Sequence, residues 1–88
     1  MTEQTVIEKE TVCLECEVTK PNKPAKWFKN GKEIKQDDNV KFVTFDNTHR
    51  LIIKSAVLDD EAEYAVEIDG KTSKSHLYVD GMYLKKKL

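Results

Sequence analysis

Apolar and polar positions alternate in short segments along the chain, and clusters of turn-forming residues break them at intervals of about eight to twelve positions. Thr5-Val6-Ile7 opens a first strand. Val12, Leu14, Cys16 and Val18 then make one apolar face, with Cys13, Glu15, Glu17 and Thr19 on the other. Pro21-Asn22-Lys23-Pro24 is a turn cluster, Ala25 to Lys29 the next strand, and Asn30-Gly31 a hairpin signal. Glu33-Ile34 follows briefly, then the polar loop Gln36-Asp37-Asp38-Asn39. Val40 to Phe45 is strand-like, but its alternation does not say which residues face inward. Asp46-Asn47 turns the chain into Arg50 to Lys54, with Leu51 and Ile53 on one face, and Ala56 to Glu61 suits a short helical turn. Tyr64 to Ile68, the turn Asp69-Gly70 and Ser75 to Val79 complete the series. No stretch supports a helix of ten residues, so the pattern predicts an all-β sandwich or barrel.

Length makes this one domain: 88 residues leave room for a single small core, which buries roughly 60 to 65% of the unfolded chain's surface. A formal net charge of −1, with 35% charged residues of both signs, lacks the one-sided basic excess of a nucleic-acid binder. No apolar run reaches the roughly 18 residues of a membrane helix, and Met1-Thr2-Glu3-Gln4 does not read as a signal peptide. Neither nucleic acid nor membrane is therefore expected as a partner.

The two cysteines, Cys13 and Cys16, stand in a C-x-x-C spacing that suggests redox or zinc chemistry. A redox pair needs a helix N-terminus to lower the thiol pKa, and zinc needs two further ligands. Here the spacing falls inside an alternating strand. Residues i and i+3 of a strand point to opposite faces with Cα atoms about 10 Å apart, beyond disulfide reach. His49 and His76 stand alone, no glycine-rich phosphate loop is present, and Ser55, Ser73 and Ser75 have no positioned base. The sequence offers no catalytic, cofactor-binding or metal site, and an enzyme is not expected.

Four features then line up: Cys16 in the second strand, Trp27 in the third, the Leu51-x-Ile53 pair, and Asp60-x-Ala62-x-Tyr64-x-Val66. Together they resemble the intermediate-set (I-set) immunoglobulin domains, above all those of the giant muscle proteins titin, obscurin and twitchin. The resemblance covers about residues 5 to 80. It implies an immunoglobulin-like, two-sheet antiparallel sandwich over residues 3–80. Residues 81–88 (Gly-Met-Tyr-Leu-Lys-Lys-Lys-Leu) remain as a linker, the start of a neighbouring domain, or an added tail.

Within that frame Trp27 buries on the order of 200 Å² between the sheets, worth about 5 kcal/mol. Tyr64 resembles the tyrosine corner, whose hydroxyl bonds back to the backbone near Asp59-Asp60; the plainer alternative is a half-buried strand tyrosine. Leu51, Ile53 and Val66 complete the expected core. The family pattern places a cysteine where this chain has Val66, so no inter-sheet disulfide is expected, and Cys16 becomes a reduced core thiol packed on Trp27 and Val66. Glu8-Lys9-Glu10 stands where many relatives have Glu-Gly-Glu, and lysine suits that turn poorly if it needs a positive φ.

The missing bridge suits a reducing cytosol, and no Asn-x-Ser/Thr sequon is present. An extracellular adhesion domain is correspondingly disfavoured. What the resemblance implies is a mechanical link in a cytoplasmic, sarcomeric or cytoskeletal protein, with no cofactor. Neighbouring immunoglobulin or fibronectin-type domains of the same chain would be its partners, and its first strand would pair in parallel with its last. The alternative is a docking module for a cytoskeletal or signalling protein, with Phe28, Ile52 and Tyr78 as the outward-facing candidates. Singly exposed apolar residues are also ordinary on any monomer.

Overall fold

The computed structural model describes residues 1–81. Among the described residues eight strands form: β1 (Gln4–Ile7), β2 (Val12–Glu17), β3 (Ala25–Lys29), β4 (Lys32–Glu33), β5 (Val40–Phe45), β6 (Thr48–Ile53), β7 (Ala62–Ile68) and β8 (Lys71–Asp80). They build a five-stranded sheet of order β1-β8-β7-β3-β4 and a three-stranded sheet of order β2-β6-β5. Every pairing is antiparallel except β1 with β8, which runs parallel from Gln4 opposite Leu77 to Ile7 opposite Asp80. The helical turn read at Ala56–Glu61 is a short 3₁₀ segment, Leu58–Asp60. Gly81, where the tail reading begins, is buried. The tail reading otherwise concerns residues 82–88, which lie outside the described residues.

The turn chemistry follows from backbone conformation. Asn30 and Gly31 both have positive φ (51° and 85°), as do Asp69 and Gly70 (53° and 78°). A two-residue hairpin loop with both central residues left-handed matches the twist of the strands it joins, which is why Asn-Gly and Asp-Gly are preferred there. Lys9 is less comfortable, with φ at 78°. The turn is nonetheless held from both sides: Lys9 N–H donates to Ala56 O at 2.7 Å, and Ala56 N–H to Glu10 O at 2.9 Å. A β-carbon in that region costs about 1–2 kcal/mol, of which glycine's extra unfolded-state entropy offsets part. Lys9→Gly should therefore raise stability by about 0.5–1 kcal/mol, read as a higher denaturant midpoint at unchanged slope.

The core lies between the sheets. Val12, Leu14, Trp27, Leu51, Ile53, Tyr64, Val66, Ile68 and Leu77 are all at least 96% buried, with Val79, Ala56 and Ala62 beside them. The orientation of β5, which alternation left open, is settled by Val40 and Phe42 packing inward. Phe42 stacks on Trp27 with ring centroids 6.2 Å apart and planes at 28°.

One polar ring shares this interior. His49 is fully buried; its Nδ1 lies 3.2 Å from Thr44 Oγ1, and Nε2 meets no partner among the described residues. Burial holds its pKa below the usual 6.5. The unfolded chain therefore takes up a proton as pH falls through about 6.5 while the fold resists it, so stability is full above that pH and declines below it. Urea titrations at a series of pH values should show this loss in the wild type and a smaller one in His49→Gln.

Candidate functional site

Two regions carry structure beyond generic packing. The first gathers around the 3₁₀ turn. Asp60 Oδ2 accepts from Val57 N–H at 2.8 Å, closing the turn, and Asp60 O accepts from the Tyr64 hydroxyl at 2.7 Å. Burial first, and the nearby Asp60 charge second, push the Tyr64 hydroxyl well above its ordinary pKa of 10.0, so it stays a donor. Glu61 Oε1 accepts from Val79 N–H at 2.9 Å, and Lys29 Nζ donates to Asp59 O at 2.8 Å. The turn thus ties β7, β8 and β3 together through side chains that the fold itself aims at orphan backbone groups.

The second region is the parallel pair of β1 and β8. The ladder continues past β1, since Glu8 N–H donates to Asp80 O at 2.8 Å. Parallel bonds alternate along each strand. This continuation therefore places the N–H groups of Val6 and Tyr78 in the seam between the strands. Gln4 Nε2 reaches Cys13 O at 2.8 Å, joining β1 to the opposite sheet. The described chain thus enters and leaves through two strands locked side by side.

The expected core residues Trp27, Leu51, Ile53, Tyr64 and Val66 are all buried. Cys16 departs from the expectation: it is half-buried, because it sits at the outer end of β2 beside Val66, Ile68 and Ser73 on the wall of an open pocket. Cys13 is exposed, and both thiols are free. Phe28, Ile52 and Tyr78 are not brought together. Phe28 and Tyr78 stand on the outer face of the five-stranded sheet, with β7 between their strands, and Ile52 on the outer face of the other sheet. Phe28 and Ile52 are half-buried, while Tyr78, 38% exposed, stacks on His76 at 4.5 Å. Among the described residues no three His, Cys, Asp or Glu side chains are grouped to hold a metal, and no helix is long and apolar enough to cross a membrane.

Alternation could have flagged His49, since it shares its face with Leu51 and Ile53. The exposure of Phe45, at 77%, was hidden by the apolar residues on both faces of β5.

The sequence profile described as Immunoglobulin I-set domain matches residues 1–79. The chain is an immunoglobulin I-set domain. Among curated relatives, the slow-type myosin-binding protein C of Rattus norvegicus is 39% identical over 72 residues, which are 82% of this chain and 11% of that protein. The muscle M-line assembly protein unc-89 of Caenorhabditis elegans is 41% identical over 64 residues, 72% of this chain and 1% of that protein. The chain thus spans only a small part of the length of these relatives. The crystal structure of domain I10 from titin superimposes with a TM-score of 0.86 at 35% identity, covering 90% of each chain. This I-set domain therefore resembles those of the giant sarcomeric proteins, and it has Val66 where the family pattern places the second bridging cysteine.

Proposed function

We propose that this I-set domain is a mechanical link in a large cytoplasmic, sarcomeric protein, a structural module rather than an enzyme. The observation that carries the reading is the parallel pairing of β1 with β8. Tension applied through the two ends of the described chain runs along both strands in opposite directions. The hydrogen bonds between them are then loaded together in shear rather than opened one by one. Likeness to domains of myosin-binding protein C, unc-89 and titin supports the sarcomeric setting. The same likeness supports neighbouring domains of one chain as its partners.

Single-molecule pulling on the domain between handle domains tests the link. Val6→Pro and Tyr78→Pro each delete one donor from the seam. Ile53→Ala removes buried core at a distance from it. At least one proline variant should unfold at a lower force than its equilibrium stability predicts from the Ile53→Ala reference. If all three variants rank in force only by equilibrium stability, β1 and β8 are not a clamp and the reading fails.

A further inference from the structure

We infer that the outer edge of β5 is a self-association surface, on which a second copy of this domain pairs antiparallel about Thr44. β5 is the last strand of its sheet, so one of its two backbone edges faces away from β6. The two-residue turn after Phe45 makes Phe45 and Thr48 a directly hydrogen-bonded pair. By alternation the backbone groups of Phe45, Val43 and Lys41 then point to β6, and those of Val40, Phe42 and Thr44 point outward.

The first half of that edge is closed by the chain itself. Asp37 Oδ1 accepts from Val40 N–H at 2.8 Å, Asp37 N–H donates to Val40 O at 3.0 Å, and Gln36 Oε1 accepts from Phe42 N–H at 2.9 Å. The second half is left open. Thr44 N–H and C=O and the Phe42 carbonyl meet no partner among the described residues, while the Thr44 hydroxyl is held inward beside His49. An open edge flanked by apolar side chains is a template for strand addition, which most proteins block along its whole length.

The open segment is complementary to itself. Two copies related by a two-fold axis at Thr44 set Thr44 opposite Thr44, and its N–H and C=O satisfy those of the partner copy in both directions. That register places Val43 of each copy across from Phe45 of the other, on the outer face, where the two side chains are 39% and 77% exposed. An aromatic facing a β-branched residue is a favourable cross-strand pair. Lys41 of each copy then lies beside the Asp46-Asn47 turn of the other, so opposite charges meet at both ends. Asp46 then faces the other copy's Phe42, whose N–H Gln36 already holds, so at that position only the Phe42 carbonyl is left to pair. The paired segment is short, far below the 1,200 Å² or so of a stable interface, so association belongs in the range of about 0.1–1 mM. Copies of a long multidomain protein held side by side reach such effective concentrations.

Sedimentation equilibrium and amide NMR of the wild-type chain from about 10 μM to 1 mM test this. The expected result is a monomer–dimer equilibrium, with concentration-dependent shifts centred on Val43, Thr44 and Phe45. Phe45→Lys, an exposed position that leaves the fold intact, should weaken association at least about ten-fold. Lys41→Glu should weaken it too, and adding Asp46→Lys should restore it. A wild type that stays monomeric at 1 mM overturns the inference. So do shifts centred on another edge, or association unchanged by Phe45→Lys.

Discussion

Trp27→Ala is expected to cost about 3–5 kcal/mol, the largest loss available from one side chain in this domain. Trp27 is 2% exposed, lies opposite Val66 in the ladder of β3 with β7, and carries Phe42 stacked on its face from the other sheet. Removing the indole therefore empties the contact between the sheets rather than a pocket within one of them. The surrounding strands are held by their ladders and cannot collapse into the void, so both the transfer and cavity contributions apply. A domain of this size has only about 5–10 kcal/mol to lose. Equilibrium unfolding in urea should show a midpoint roughly halved or lower. A variant that melts within a few degrees of wild type would contradict a core centred on Trp27.

Tyr64→Phe should cost about 1–3 kcal/mol, although it removes a single oxygen. The ring is 2% exposed and stays in place in the variant, so packing changes little. What is lost is the donor to Asp60 O, which leaves that carbonyl without its 2.7 Å partner. The penalty is the desolvation of a stranded acceptor rather than the modest net worth of a hydrogen bond. Asp60 also closes the 3₁₀ turn through Val57, so slackening at Asp60 should loosen the start of β7. Amide exchange at Val57 and Glu61 in the variant should rise more than exchange in β2. Equal stability of the two proteins would reduce Tyr64 to a packed ring.

Much of this architecture was readable because strand alternation is a two-state signal. Val12, Leu14, Leu51 and Ile53 alternate with charged or polar neighbours, and their buried faces follow directly. Asn30-Gly31 and Asp69-Gly70 were legible because few residue pairs adopt two successive left-handed conformations without strain. β5 was not legible: Val40 and Phe42 on one face compete with Val43 and Phe45 on the other, and only contact with Trp27 decides between them. The same ambiguity hid the exposed Phe45 edge. Cys16 misled for a different reason. Its place in the alternation is correct and it packs against the core, but it also lines an open pocket, and periodicity does not register depth. Phe28, Ile52 and Tyr78 were each placed on an outer face, yet no sequence period tells which sheet a strand joins.

Val66 beside a free Cys16 has a consequence for extension under load. A bridge between these two positions would lock about 50 residues of chain into a closed loop, withholding roughly 170 Å of contour at about 3.4 Å per residue. Without it, rupture of the β1–β8 seam frees the whole folded length at once. In the proposed role as a link, the slack this domain contributes would be one fixed increment, with no disulfide between these positions to open or close.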